Sequence, residues 1–595
     1  MKKLFLIAMV LTGLTANAQY FHHIYGTTDG QKLSSGINTD PAISSMGHFL
    51  VGHHSQQGLS VSRTDGTGNI TGAPYFNGWY FLISSVTGNV VHVGESKAFE
   101  MNNGNGFGII GQFADYSVFP ATTGVFYLMM DQAGNVSVIY TYIPAGGGTG
   151  QDVISVGGIY ESIFTGGNEV YVTGTVTTTS GTLDPFAMMI DVNSGGLVWS
   201  GIYDIVYSSG AGIAFGKDVI TSPYSPTGNK EIVVVGETRE NVSGALPDGY
   251  MLRLDAANGN PMAAVNLYGT TASSESFNAI DIAQSTKGGS DGYIIGGYSD
   301  RAGSEDVWLN KTDHVGNTLW ATLHDYNGNP GTQNVCNDII ERKNTSGNFE
   351  YYAAGYVYRG LLGDYDILVD KIEDGGSTSG FGQFTYGDGR IDYGIAIDQY
   401  NGTGADGISV FGFREGASGP VINGNYDMYL VKAYFNGETP CNQIIVDVPI
   451  ISGPKIYATT GVNFVDKLVP DAKMKWRNTN AYDANICYAN TLASGSNARV
   501  APAEPKGDKQ AVVAPNPMQT GTQAIAVSVE VESATTAQVA IYDMLGRQYY
   551  AGSVDLAKGS NTLPIDISKS NMSTGTYTVR ITMNGVNKSV LLLVE

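Results

Sequence analysis

The sequence predicts an all-β protein: a seven-bladed β-propeller with four-stranded blades, the last blade completed by the N-terminal strand, followed by a small C-terminal β-sandwich. Three observations predict it. A short alternating strand with one glycine recurs as "FLVGHH", "GIIGQF", "VYVTGT", "VVVGET", "IIGGYS", "YAAGYV" and "SVFGFR". Its even spacing, about 60 residues, is the mark of a repeat architecture. Each copy runs on into a second strand that ends in a Gly turn, as in "DGYMLRLDAANGN" and "EDVWLNKTDHVGN". Finally, "IYGTT" at 24–28 nearly repeats "LYGTT" at 267–271, which closes an internal unit, whereas the seventh copy stops near Tyr434 with no such strand after it.

The chain opens on Lys2 and Lys3, an apolar run over 4–14, and Ala16-Asn17-Ala18. This is the pattern of a secretory signal peptide, residues 1–18. The run is too short to cross about 30 Å of hydrocarbon, and no later segment is long and apolar enough to do so. Residues 19–436 hold the propeller. With 79 Gly, 36 Tyr and only 14% charged residues, the chain has the composition of a turn-rich β protein with a real core. Asn-Gly and Asp-Gly between alternating apolar runs are hairpin turns, because those residues tolerate positive φ. A third strand follows in several copies ("LVWSGIYD", "NTLWATLHDY"), and another precedes the Gly strand ("FNAIDIAQ", "NVCNDIIE", "YGIAIDQY"), which makes four per blade. The N-terminal strand, 20–25, is expected to pair with 427–431 and so remove the open edges of a linear array. A solenoid or a row of separate sandwiches would share the repeat; the even period favours the closed ring.

Residues 437–510 lose the period and read as an undefined spacer, in which "QIIVDVPII" reads as a strand and the Pro- and charge-rich "VAPAEPKGDKQ" as a linker at its end. Three cysteines leave an odd one in an exported chain. Cys441 and Cys487 share this region and are a candidate pair. Cys336, aligned with Ala279 and Ala396, reads as a small buried filler.

The C-terminal segment, 511–595, contains "VVAPNPMQTG", "VAIYDMLGRQYYAG", "NTLPIDISKSNMSTGTYTVRITMNG" and "VNKSVLLLVE", short alternating strands suited to a small sandwich. Pro515, Asn516 and Pro517 at its start, Gly546 and Arg547 after the central strand, Gly575 and Tyr577 before the penultimate strand, and Lys588 in the last closely resemble the type A C-terminal sorting domain of the type IX secretion system. The resemblance implies a Gram-negative bacterium, Sec export, and passage of the outer membrane with the type IX machinery as partner. It further implies that the domain is removed at the surface and the cargo left on anionic polysaccharide or released. Such a domain is an address, not an activity.

Little in the sequence points to chemistry. Acidic residues outnumber basic ones, 54 to 32, for a net charge of −22, which opposes nucleic acid and anionic lipid as partners. There is no Gly-x-Ser-x-Gly elbow, His-Glu-x-x-His pair or EF-hand loop. Asp191, Gly195 and Trp199 resemble the repeat of quinoprotein dehydrogenases, but only two copies keep the Trp and no adjacent cysteine pair is present. Asp313, Gly316 and Trp320 have one residue too many for a sialidase Asp-box, so both sets read as turn and packing residues. His22, His23, His48, His53 and His54 cluster in sequence but read as surface histidines at strand ends. Asp218, Asp281, Asp338 and Asp398 align in the first strand of four successive copies. They are expected either to form a carboxylate ring in the channel, for which calcium is the fitting cofactor, or to accept backbone N–H bonds within their own blades. The loop over 63–78, with Tyr75, Phe76, Trp79 and Tyr80, is a candidate ligand face, although Trp79 and Tyr80 begin a strand and suit core packing.

The reading that these features favour is a secreted or cell-surface noncatalytic binding or adhesion protein, whose propeller takes a glycan or a surface protein. Two alternatives stay open: a polysaccharide-active propeller enzyme with a loop-built site, and a structural surface-layer component.

Overall fold

A computed structural model of the chain describes residues 22–487 and 512–594 apart from short connections between strands. The expected signal peptide, the linker before the sorting segment and Cys441 lie outside the described residues, as does the side chain of Cys487. Every described element is a strand, so none is a helix long and apolar enough to cross a membrane. The chain divides into two compact units, residues 1–491 and 492–595.

The first unit is a seven-bladed propeller. Blade 1 comprises Gln31–Thr39, Gly47–His54, Leu59–Asp65 and Phe76–Ser84; blade 2 comprises His92–Glu100, Phe107–Asp115, Thr122–Met130 and Val136–Pro144. Blade 3 is Val153–Glu161, Glu169–Thr177, Leu183–Asp191 and Leu197–Tyr207, and blade 4 is Gly210–Ser222, Glu231–Glu240, Asp248–Asp255 and Val265–Gly269. Blade 5 is Glu275–Ala283, Gly292–Ser299, Asp306–Asp313 and Thr318–His324, and blade 6 is Val335–Lys343, Phe349–Tyr358, Tyr365–Glu373 and Gln383–Tyr386. Blade 7 takes Asp392–Gly402, Ala405–Glu415 and Tyr426–Tyr434 from the end of the repeat and its fourth strand, His22–Gly26, from the N-terminus. In that closure His22 lies opposite Val431 and Tyr25 opposite Met428, within the expected pairing.

Burial explains why these strands are so uniformly apolar. A blade in the ring has a neighbour on both faces, so "EIVVV" in blade 4 is buried residue after residue and does not alternate. Each of the seven junctions holds its own apolar cluster. Between blades 1 and 2, Phe49 stacks on Phe107 at 3.9 Å. Leu33 and Leu50 against Phe411, Met428 and Leu430 seal blade 7 to blade 1. A tyrosine in the fourth strand locks several junctions. The hydroxyls of Tyr80, Tyr142, Tyr203 and Tyr268 donate to the carbonyls of Gly134, Gly195, Gly259 and Gly316 in the following blade, at 2.6–2.8 Å. These acceptors are the turn glycines, held at positive φ (Gly316 at 97°), where a side chain would be strained. Each such bond stabilises by about 1 kcal/mol.

The region set apart in sequence as a spacer over 437–510 has structure of its own. Gln443–Ile445 adds a fifth strand to blade 6, Ile450–Ser452 to blade 5, Lys455–Asp466 to blades 4 and 3 in one continuous run, Leu468–Asp471 to blade 2, Met474–Asn480 to blade 1 and Tyr482–Cys487 to blade 7. Every pairing is antiparallel to the blade's outer strand. The chain makes one circuit of the propeller against the blade order, and its edges satisfy the N–H and C=O groups that outermost strands would leave unpaired.

The second unit is a sandwich of Val512–Ala514, Ala524–Val531 and Gly559–Asp566 facing Thr535–Asp543, Gln548–Leu556, Gly575–Met583 and Val586–Val594. Its core holds Val527, Val539, Ile541, Val579, Ile581 and Leu592.

Candidate ligand-binding site at the mouth of the channel

The first strands of the seven blades line the central channel, and each carries a β-bulge near its start. A bulge adds one residue to one strand and re-aims its side chain. The residues at the seven bulges, Ser34, Glu95, Gly157, Lys217, Asn278, Asn337 and Ile395, all line one cavity of about 450 Å³. The repeated glycine of the second strand sits opposite. A Cβ on Gly52, Gly236, Gly297, Gly355 or Gly412 would run into a carbonyl oxygen of the bulged strand. The signal was therefore present in the sequence: an isolated Gly in a strand marks a bulge or a close backbone approach, though there it served only to count blades.

The cavity has two unlike sides. Blades 6 and 7 supply an aromatic wall in which Tyr356 meets Tyr393 at 4.8 Å, Tyr393 meets Phe413 at 4.9 Å and Phe413 meets Tyr426 at 5.0 Å. Lys32, Lys97 and Lys217, from blades 1, 2 and 4, bring ammonium groups; Asn278 and Asn337 bring amides. The Lys32 Nζ lies 5.0 Å from the Phe413 ring, a cation–π contact. Neither Lys97 nor Lys217 makes an ion pair with a described residue. His53, whose Nδ1 is 3.2 Å from Ser34 Oγ, and the carboxylate of Glu95 also belong to the lining.

Below the mouth the channel narrows to a second space of about 170 Å³, and Lys97, Gly157, Lys217, Asn278, Asn337 and Ile395 line both. Asp218, Asp338 and Asp398 line this space, and with Asp281 of blade 5 the four aspartates stand in two layers. The sequence alignment put them in one column, with Cys336 beside Ala279 and Ala396. The register corrects it: Cys336 pairs with Gly355 as Phe277 does with Gly297 and Gly394 with Gly412, so Cys336 matches Phe277. Asp218 and Asp338 follow the bulge directly, while Asp281 and Asp398 lie two residues deeper, so neighbouring blades never present carboxylates at one level. Cys336 itself is buried and free, packed against Ala279 and Leu309.

Each aspartate joins its own blade to the next. Asp218 accepts from the N–H of Val219 (2.9 Å) and of Ile280 in blade 5 (3.0 Å). Asp281 accepts from Ile282 and from Glu341 of blade 6 (2.7 and 2.6 Å). Asp338 accepts from Ile339 and from Ile397 of blade 7 (2.9 and 2.8 Å). Asp398 reaches Asn38 N of blade 1 (2.7 Å), across the closure of the ring. Ser35 Oγ in blade 1 accepts from Ala98 N in blade 2 in the same manner, at 3.3 Å. On the other side of Asp218, blade 3 has Gly158, where a Cβ would collide with the carboxylate. Burial pushes the carboxyls of Asp218, Asp281 and Asp398 up to about 7 and that of Asp338 to about 6, with the charge of Asp338 adding to the rise at the other three. Among the described residues, no group of three or more His, Cys, Asp or Glu is arranged to hold a metal ion.

The remaining sequence candidates fall elsewhere. Asp191 and Asp313 cap turns, accepting from Ser194 N (2.7 Å) and from Val315 N and Asn317 N (3.0 and 2.8 Å). The indoles of Trp199 and Trp320 donate to the Ala256 and Asp374 carbonyls of the next blade, 2.9 Å each. His48 and His53 occupy opposite ends of one strand. The loop after Leu59–Asp65 is at the end of blade 1 remote from the mouth, because His53, which lines the mouth, pairs with Leu59 at that strand's start. Tyr80 is spent on Gly134, and the side chain of Trp79 lies outside the described residues.

Of the sorting residues, Tyr577 is buried against Tyr549 at 5.2 Å, Gly575 pairs with Val594 and Lys588 with Ile581. Pro515, Asn516, Pro517, Gly546 and Arg547 lie outside the described residues. Residues 512–595 match the family of the secretion system C-terminal sorting domain. This segment is a type IX secretion sorting domain. The tail indicates export, with surface attachment or release. No curated protein matches the chain. Among solved structures, the Dos1 propeller is 10% identical at a TM-score of 0.34, covering 69% of this chain and 95% of its own. The quinohemoprotein alcohol dehydrogenase ADHIIG of Pseudomonas putida HK5 is 9% identical at 0.33, covering 71% and 79%. Likeness at this level adds nothing to the strand pairing that defines the propeller.

Proposed function

We propose that the protein is a noncatalytic binding module, delivered to the outer cell surface or beyond it by type IX secretion, that takes a glycan in the mouth of its channel. One observation carries the reading: seven bulges direct their residues into a single cavity that combines aromatic rings of blades 6 and 7 with ammonium groups of blades 1, 2 and 4 and amides of blades 5 and 6. Aromatic faces stack on the apolar faces of sugar rings, and convergent polar groups fix orientation. The aspartates beneath are read as clasps between blades and not as a calcium ring, because their oxygens are already engaged by backbone N–H groups. A glycan array probed with the mature propeller, run beside a turnover screen on the same glycans, tests the proposal. Binding without product is the expected outcome; product formation would replace it with an enzyme.

A further inference from the structure

We propose that the ligand of the channel mouth is an acidic saccharide, one whose sugar bears a carboxylate. This rests on the reading of the mouth as a glycan site and adds the charge of the glycan.

The protein as a whole repels anions, with a net charge of −22. Against that background three lysines converge on one cavity of about 450 Å³ with a single carboxylate, Glu95, among its lining residues. Two of them, Lys97 and Lys217, make no contact ion pair among the described residues, and both are half-buried; Lys97 feels Asp218 and Asp338 only across the layer below, and Lys217 rests 5.6 Å from the Phe215 ring. An ammonium so placed gains from an incoming anion what it lacks from the protein, and in a partly desolvated cavity that attraction exceeds its value in water. The carboxylates that could have supplied the partner stand one layer deeper. Asp218 and Asp338 spend their oxygens on Val219, Ile280, Ile339 and Ile397 N–H groups.

The geometry also separates the ligand's two demands. Gly157, the bulge residue of blade 3, has no side chain, so the space between Lys97 of blade 2 and Lys217 of blade 4 is kept open to the channel. Across it, Tyr393, Phe413 and Tyr426 present the aromatic wall, and Tyr426 is 37% exposed. A pyranose against that wall places a ring carboxylate toward the lysines, while Asn278 and Asn337, whose Nδ2 groups each commit one N–H to a carbonyl of the following blade (Cys336 and Gly394, 3.0 and 2.7 Å), keep the other for a hydroxyl. A phosphate or a small carboxylic acid would use the lysines and leave the wall bare; a neutral sugar would do the reverse.

The test compares binding of a galacturonate tetrasaccharide and of its fully methyl-esterified form, which keeps the shape and removes the charge, to the mature protein by calorimetry at low and moderate salt. The acid is expected to bind at least about 10-fold more tightly, the difference shrinking with salt. Lys97→Met and Lys217→Met should each cost the acid several-fold and leave the ester unchanged, with melting temperatures near that of the unmodified protein confirming the fold. Equal binding of acid and ester, both lost on Tyr393→Ala, would overturn the acidic ligand while leaving the glycan site standing. Binding of the acid that survives both lysine changes would also overturn it. No binding of either form, together with a silent array, would overturn this inference and the glycan reading together.

Discussion

Asp338 illustrates how much one side chain can carry in a closed ring. Its two oxygens tie blade 6 to blade 7 through Ile339 and Ile397, and Asp398 repeats the arrangement at the seam with Asn38. Asp338→Asn retains one acceptor but replaces the other with a donor facing an N–H, and is expected to destabilise the propeller by about 1–3 kcal/mol. Denaturant unfolding would measure it, and addition of calcium or of a chelator should not shift the melting temperature of the unmodified protein. The pH dependence has a definite sign. These carboxyls sit at about 6 to 7 in the folded chain, above their ordinary range near 4, so the folded state holds protons that the unfolded chain releases. The resulting stabilisation is complete below about pH 4 and is lost as pH rises through 6 to 7. Lys432, pushed down to about 7 by burial, is charged in both states below that pH; between pH 7 and 8 it opposes the trend, as one group against four carboxyls, and does not reverse it. Melting at pH 5.5 should therefore occur at a higher temperature than at pH 8. The recurrence of the aspartates was visible in the sequence. Their two levels were not visible, because a bulge shifts register without leaving a gap in the alignment; Cys336 was placed beside Ala279 for the same reason.

The elements divide into those the sequence announces and those it hides. Hairpins with Asn-Gly and Asp-Gly turns and a glycine in each second strand are local patterns, and the closing strand was legible because "IYGTT" has a sibling at 267–271 whose place in a blade was already clear. Of the encircling strands between Gln443 and Cys487, only "QIIVDVPII" reads as strand in the sequence, where the structure has Gln443–Ile445 and Ile450–Ser452; the circuit and the other strands were not legible. They have no turn between partners, no repeat period and unequal lengths, and what makes them strands is the unpaired edge of a blade from about 60 to more than 450 residues earlier. Their existence sharpens the role of the N-terminus. His22–Gly26 pairs on one side with Tyr426–Tyr434 and on the other with Tyr482–Cys487, so its loss would strip partners from two strands at once. Deleting residues 19–28 from the mature chain should abolish cooperative melting or cause aggregation, read by calorimetry and light scattering. A truncated chain that melts like the intact one would contradict the shared blade.

At the level of the whole molecule, the two units have separate tasks. The sandwich has its own core and the sorting sequence, so removing residues 512–595 should leave a folded propeller that is not exported past the outer membrane, as cell fractionation would report. The propeller's task is assigned to the channel mouth and not to the loop over 63–78 at the remote end of blade 1, where the sequence alone had looked for a ligand face. Loop composition suggested that loop; the mouth is assembled from single residues of seven blades and has no contiguous signature. Hydrogen exchange on the mature protein, with and without a glycan selected from the array, decides between the two ends. Slowed exchange confined to the bulges at 33–35, 93–96, 156–158, 216–218, 277–279, 336–338 and 394–396 is the predicted result, and protection of 63–78 with the bulges unchanged would contradict it.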